Sequence, residues 1–201
     1  MIYKNYLKRC FDILFSILLF PILILVLIFI SPIIFFSDYG SVFYIGKRVG
    51  RNGKIFKMVK FRTMIKNAPD IRLGDGSTYN SDDDPRLTKI GLILRKTSID
   101  ELPQIINVLL GDMSFIGPRP DPIDWLERYT DEERIFLKVR PGITGYNQAY
   151  YRNSADGKQK IINDVHYAKN ISFLLDIKIL IKTIETVVLK KNINIQKERI
   201  E

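Results

Sequence analysis

The chain has 201 residues, with 31 Lys plus Arg against 22 Asp plus Glu, a formal charge of +9 and 46% hydrophobic content. That size allows one ordinary domain or a small domain with an appendage, and so apolar a chain is not an intrinsically disordered one. A single cysteine, Cys10, excludes an intramolecular disulfide, and a single histidine, His166, leaves no His/Cys set for a zinc site.

Residues 13–36 read ILFSILLFPILILVLIFISPIIFF, 24 residues without a charge. A continuous helix of that length reaches roughly 36 Å, against a hydrocarbon core of about 30 Å. The run exceeds the apolar core of a secretory leader and no small-x-small cleavage site follows it, so it is expected to stay as a membrane anchor. Lys4, Lys8 and Arg9 precede it, and Lys47, Arg48, Arg51, Lys54, Lys57, Lys60, Arg62 and Lys66 follow it. Basic flanks on both sides make both ends cytoplasmic by the positive-inside rule. A segment that enters and leaves by one face, bent at Pro21, satisfies this, and a straight span with a tolerated proline is the alternative. The division expected is an anchor over 1–36 and a catalytic domain over 37–201.

Asn52-Gly53, between SVFYIGKRVG and KIFKMVKFR, predicts a β-hairpin. Residues 67–85, rich in Gly, Asp, Ser and Asn, read as a long surface loop. Leu102, Ile105, Ile106, Leu109 and Leu110 share one helical face, closed by Gly111. Asp121-Pro122 predicts the start of a helix carrying Trp125 and Leu126. A last helix is expected from Ser172, with Ile177, Leu180, Ile181, Ile184 and Val188 as its stripe and Lys178, Lys182 and Lys190 off it. Such a stripe suits a core or the headgroup layer of a membrane.

The stretch 86–120, RLTKIGLILRKTSIDELPQIINVLLGDMSFIGPRP, is the densest in chemical groups. Pro103 belongs in a first helical turn, which makes Asp100 the expected N-cap and Glu101 the first helical residue. A capping role alone would account for both. Arg95 and Lys96 lie just upstream, however, Arg119 sits in a Gly-Pro-Arg-Pro turn, and Arg140 opens an Arg-Pro-Gly turn. Helix starts and arginine forks suit phosphate, and they favour an ionised Asp100 able to attack phosphorus or hold a divalent cation. Glu101 beside it could then serve a second substrate, taking a proton. Other phosphate motifs fail: in GSVFYIGK, at 40–47, five residues separate the glycines where a P-loop has four, and GxGxxG does not occur. His166 has no nucleophile elbow near it and reads as structural. Nothing resembles a nucleic-acid-binding motif, so no nucleic-acid partner is expected; the alternative from another class is an anchored basic binding module without catalysis.

At these residues the chain resembles the bacterial sugar transferase family, the small monotopic phosphoglycosyl transferases that act on polyprenyl phosphate. The matching blocks are Lys8-Arg9 with Asp12, Lys60-Phe61-Arg62-Thr63-Met64, Asp84-Pro85-Arg86 and Thr97 to Gln104 (TSIDELPQ). Asn107-Val108-Leu109, Gly111-Asp112-Met113-Ser114, Gly117-Pro118-Arg119-Pro120 and Arg140 to Gly145 (RPGITG) follow, and the tail matches at Asp164, Tyr167, Ser172 and Leu175-Asp176. The resemblance implies transfer of a sugar 1-phosphate from a UDP-sugar to polyprenyl phosphate, with release of UMP. It makes Asp100 the nucleophile and a ligand of Mg²⁺, and Glu101 the group that deprotonates or orients the lipid phosphate. Lys60, Arg62, Arg95, Arg119, Arg140, Arg152, Asp164, Tyr167 and Asp176 are the expected substrate-binding residues.

The fold implied is α+β and mainly helical: a re-entrant membrane helix, a small β-hairpin and a catalytic domain with interfacial amphipathic helices on the cytoplasmic face of the bacterial inner membrane. Membrane lipids are then further partners; the sequence sets no oligomeric state. Three departures stand out. The early proline is Phe20-Pro21 with Ser31-Pro32 further on, His166 stands where an aromatic is usual, and 146–152 reads YNQAYYR where Ala-Gln-Val-x-Gly-Arg is common.

Overall fold

The computed structural model describes residues 2–72, 79, 81, 83–151 and 155–189. It is mainly helical with two small sheets. A single π-helical turn, Tyr3–Leu7, leads into helix α1, Lys8–Asp38. The helix continues through Pro21 and Pro32 and ends two residues beyond the expected anchor boundary, at Tyr39 in the left-handed conformation. Most of its apolar side chains, Leu14, Leu18, Leu25 and Phe29 among them, are exposed, as a bilayer-facing helix requires.

The predicted hairpin is present: strands β1, Phe43–Val49, and β2, Ile55–Phe61, pair antiparallel, with Gly46 opposite Met58. Asn52 and Gly53 both take positive φ at its turn, the geometry that Asn-Gly favours. Of the loop expected over 67–85, residues 73–78, 80 and 82 lie outside the described residues; next in the chain comes helix α2, Lys89–Thr97. It lies so close to the end of the hairpin that a Cβ on Gly91 would meet the Thr63 carbonyl oxygen at 1.8 Å, a gap that only glycine fits. A 3₁₀ turn, Ile99–Glu101, leads to α3, Gln104–Leu110, which ends on Gly111 at φ 92° as expected.

Strands β3, Ser114–Ile116, and β4, Gly142–Thr144, pair in parallel, which no sequence pattern announced. Between them run 3₁₀ turns at Ile123–Trp125 and Glu133–Lys138. The helix expected to start at Asp121 is therefore a single turn, because the Asp121 carboxylate accepts from Tyr129 Oη and Lys160 Nζ and caps nothing. Helices α4, Tyr146–Tyr150, α5, Gly157–Lys169, and α6, Phe173–Val188, complete the fold. The last helix starts after Ser172 as predicted, and the Ser172 Oγ accepts from Leu175 N to cap it.

The faces of two helices differ from their sequence patterns. In α3 the inward side chains are Ile105, Val108, Gln104 and Asn107, while Leu110 is 72% exposed. In α6 the inward line is largely polar, with Asp176, Ile179 and Thr186 buried, while Leu174, Ile181 and Ile184 face outward. An outward apolar face of that extent is foreign to a water-bound surface.

Helix α1 is tied to the rest of the chain at both ends. At its start, Asp12 accepts from Ser114 Oγ at 2.9 Å and Phe115 N at 3.0 Å. Lys8 reaches Asp176 at 2.6 Å, and Arg9 donates to the Val108 and Leu109 carbonyls at the end of α3. At its far end, Asp38 holds the Arg62 guanidinium, and Ile34 packs with Phe61 and Leu94. Asp12→Ala is expected to cost roughly 2–3 kcal/mol by leaving a buried hydroxyl and a backbone N–H unpaired, read as a lowered unfolding midpoint in detergent.

Candidate active site

The 3₁₀ turn at Ile99–Glu101 is aimed by what brackets it. Ser98, at φ 58°, ends α2 and reverses the chain, and Pro103 allows helix only beyond itself. Asp100 is therefore not the N-cap expected of it; it lies inside the turn and points inward, 8% exposed.

Glu101 gathers the cations. Its Oε1 accepts from Lys60 Nζ of β2 at 2.7 Å and from Arg119 Nη2 of the Gly-Pro-Arg-Pro turn at 2.9 Å. Arg95 of α2 donates from Nε to Thr63 Oγ1 at 3.0 Å, and its charge acts on Asp100. The Asp100 carboxylate accepts no hydrogen bond among the described residues. Burial pushes it up to about 6, the Glu101 charge acts in the same sense, and Lys60, Arg95 and Arg119 oppose them. The cations favour the ionised form, as the sequence pattern implied, and burial, which that pattern does not reveal, works against them. Glu101 goes the other way: burial disfavours its charge too, but Arg119 and Lys60 outweigh it and hold its carboxyl far below the usual range. Burial depresses the Lys60 ammonium, and Glu101 raises the Arg119 guanidinium.

Of the expected site residues, the structure brings Asp100, Glu101, Lys60, Arg95 and Arg119 together. Arg62 is turned to Asp38 and the Ser41 carbonyl, holding the exit of α1. Arg140 donates to the Gly111 carbonyl, beside the cap that Arg9 places on α3. Tyr167 donates to Asp176 Oδ1, whose other oxygen takes Tyr3 and Lys8, so this pair joins α5, α6 and the start of the chain. Asp164 lies at 1% exposure against Lys160. Arg152 lies outside the described residues. His166, exposed, lies against Tyr146 with its ring tilted, the ring centroids 5.2 Å apart.

Two contributors escaped the sequence reading. Thr63, inside a matched block, joins α2 to the hairpin: its hydroxyl holds Arg95 and its carbonyl accepts from Thr88 N. Lys160, spaced four residues from Asp164 on α5, carries a helical pairing signal, but its second partner is remote in sequence. It contacts Asp164 at 2.9 Å, Asp121 at 2.8 Å and the Arg119 carbonyl at 3.5 Å. Behind the Arg119 turn there is thus a buried cation between two carboxylates, and burial pushes Asp164 up to about 6 despite it.

No cluster of three metal-ligating side chains occurs among the described residues. Mg²⁺ commonly takes one or two carboxylates plus substrate phosphates, and Asp100, a carboxylate with no hydrogen-bond donor, fits that sparse mode. Three cations against two carboxylates leave an excess of positive charge that favours a phosphate, beside one weakly stabilised carboxylate.

Two stability measurements follow from these environments. Lys160→Met is expected to cost about 3–5 kcal/mol, since it leaves two buried carboxylates facing each other, and the loss should shrink toward acid pH as they share a proton; unfolding curves at two pH values check this. The native Asp100 carboxyl binds its proton more tightly than the unfolded one, so the stability it contributes is complete below pH 3.8 and lost as pH rises through about 6. Asp100→Asn should therefore stabilise the fold at neutral pH, by on the order of 2–3 kcal/mol, with the gain fading in acid.

A family model described as bacterial sugar transferase matches residues 3–190. The exopolysaccharide production protein ExoY of Sinorhizobium fredii is 40% identical over 195 residues, 92% of this chain and 86% of that protein. The undecaprenyl-phosphate galactose phosphotransferase of Salmonella typhimurium is 40% identical over 201 residues, 92% of this chain but 41% of that protein. The UDP-N-acetylgalactosamine-undecaprenyl-phosphate N-acetylgalactosaminephosphotransferase of Aeromonas hydrophila is 36% identical over 188 residues, with 90% of this chain and 44% of that protein covered.

Proposed function

The chain belongs to the bacterial sugar transferase family, and on that premise we propose that it transfers a sugar 1-phosphate from a UDP-sugar to a polyprenyl phosphate, releasing UMP, as the first membrane step of a glycan pathway. The observation that carries this reading is the contrast between two adjacent carboxylates: Glu101 holds two cations, while Asp100 accepts no hydrogen bond among the described residues.

In the first step an Asp100 carboxylate oxygen attacks the phosphorus that bears the sugar. A phosphorus–oxygen bond to Asp100 forms, the diphosphate bridge breaks, and UMP leaves with the electron pair. In the second step an oxygen of the polyprenyl phosphate attacks the same phosphorus, forming the lipid diphosphate sugar and freeing Asp100. Lys60, Arg95 and Arg119 neutralise the phosphates that meet there. A raised carboxyl suits a nucleophile, because Asp100 is more basic than an ordinary aspartate yet mostly ionised at neutral pH. Mg²⁺ held by Asp100 would lower repulsion between that carboxylate and the phosphates.

Glu101 serves to orient. A carboxylate held far below its usual range by Lys60 and Arg119 is a poor proton acceptor, so its part is to set those cations against the lipid phosphate. The same fact disfavours direct transfer with Glu101 as base, and the noncatalytic binding module leaves the buried Asp100 without a role.

The anchoring fits a lipid acceptor. Both ends of α1 contact one catalytic body, through Asp12 and through Asp38, and a body of that charge would sit on one side of a bilayer. This supports an anchor entering and leaving by one face, and the basic residues flanking both ends make that face the cytoplasmic one. The outward apolar faces of α3 and α6 would rest in the headgroup layer, with membrane lipids as their partners.

The test uses purified protein in nanodiscs with undecaprenyl phosphate, Mg²⁺ and a panel of UDP-sugars, measuring UMP release. Turnover is expected with one or a few donors, lost at least roughly 10³-fold in Asp100→Asn. In the wild type kcat/KM should fall in acid with an apparent pKa near 6. Mass spectrometry should find the phosphosugar on the Asp100 peptide, and a sequential mechanism with no adduct would sink the covalent route.

A further inference from the structure

We propose that the groove between the last turns of α1 and the first turn of α2 seats the isoprenoid chain of the lipid acceptor. The inference rests on the transferase reading above and adds the place where the acceptor's tail is held. The groove has a volume of about 720 Å³ and is lined by Pro32, Phe36, Ile65, Lys89 and Ile90 among others. That is within the range of roughly 300–1,000 Å³ typical of sites for organic ligands.

Three observations commit the groove to this occupant. One wall belongs to the membrane helix, so the groove opens into the layer where a prenyl chain resides; there Phe36 is 65% exposed and Ile65 45% exposed. The other wall belongs to α2, which runs from the groove to the reacting carboxylate: Lys89 and Ile90 line the groove at its start, and Asp100 follows its end. Nine helical residues cover about 14 Å, so a chain leaving the groove along α2 brings its phosphate to the Asp100 turn.

The wall between carries an exposed apolar side chain and is tied to the reacting groups by hydrogen bonds. Ile93, three residues beyond Ile90 on α2, is 56% exposed and continues the same face. Thr88, in the groove wall, donates from N and from Oγ1 to the Thr63 carbonyl, and the Thr63 hydroxyl takes Arg95, whose charge acts on Asp100. The groove and the phosphate site are thus two ends of one wall, matching a ligand with an apolar tail and an anionic head.

The experiment fills the groove without touching the charged residues. Ile65→Trp in nanodiscs is expected to raise the KM for undecaprenyl phosphate at least tenfold, leaving the KM for the UDP-sugar and the UMP burst with donor alone unchanged. The exposed-helix variant Ile93→Gln should raise the lipid KM severalfold and serves if Ile65→Trp fails to fold. An unchanged lipid KM in a variant that keeps its burst overturns the groove. Absence of UMP from the wild type overturns the transferase reading instead. A diazirine-bearing polyprenyl phosphate should label peptides holding residues 32–36 and 88–93, with competition from undecaprenyl phosphate. Equal competition from phosphatidylglycerol would make the groove a general bilayer-lipid site and would also overturn the proposal.

Discussion

Glu101 between Lys60 and Arg119 is the contact on which the rest of the site depends. Lys60 comes from β2, Arg119 from the turn after β3, and Glu101 from the turn between α2 and α3, so one carboxylate oxygen joins three separate pieces of chain. Its carboxylate is largely shielded from water, and those two cations stabilise its charge. Remove either, and Glu101 keeps a single cation while one of the three pieces of chain loses its tie to the other two. Asp100 is raised partly because its neighbour is held charged, and is kept from full protonation by the cations that neighbour collects. Coupled carboxylates forced apart in this way are a recurrent means of giving two like groups different chemistry.

Around this centre the chain invests a second set of ion pairs in orientation. Lys160, between Asp121 and Asp164, stands behind the Arg119 turn, while Arg9 caps the end of α3 and Asp12 holds the strand that leads to that turn. The start of the membrane helix is consequently part of the catalytic body's own framework. This makes physical sense for an enzyme whose acceptor is confined to a bilayer, because the depth of the reacting groups is set by how rigidly the anchor meets the core.

Much was legible in the linear pattern where local physics decides. The uncharged run 13–36, the Asn52-Gly53 turn, the Gly111 cap and the helix start near Ser172 each depend on residues within a few positions of one another, and each is found in the structure. The reading failed where a tertiary partner overrode a local preference. Asp121 looked like an N-cap but binds Tyr129 and Lys160, which leaves a single turn where a helix was expected. The stripe on α6 was ambiguous by periodicity alone, since a core and a membrane surface ask for the same spacing.

By itself, then, the sequence determined the membrane segment, the hairpin, the family and the adjacency of Asp100 to Glu101, because these are properties of contiguous residues and of motifs kept in order. Only the tertiary structure decided which cations meet that pair. Lys60 and Arg119 bond Glu101 and the Arg95 charge acts on Asp100, while Arg62, Arg140, Tyr167 and Asp176 hold the framework in place, and nothing in their spacing separates the two groups. It also decided the protonation of Asp100, raised by a burial that no count of neighbouring charges along the chain reveals. The physical reason is the same in both cases: charge interactions depend on distance and on exclusion of water, and both are set by packing between elements far apart in sequence.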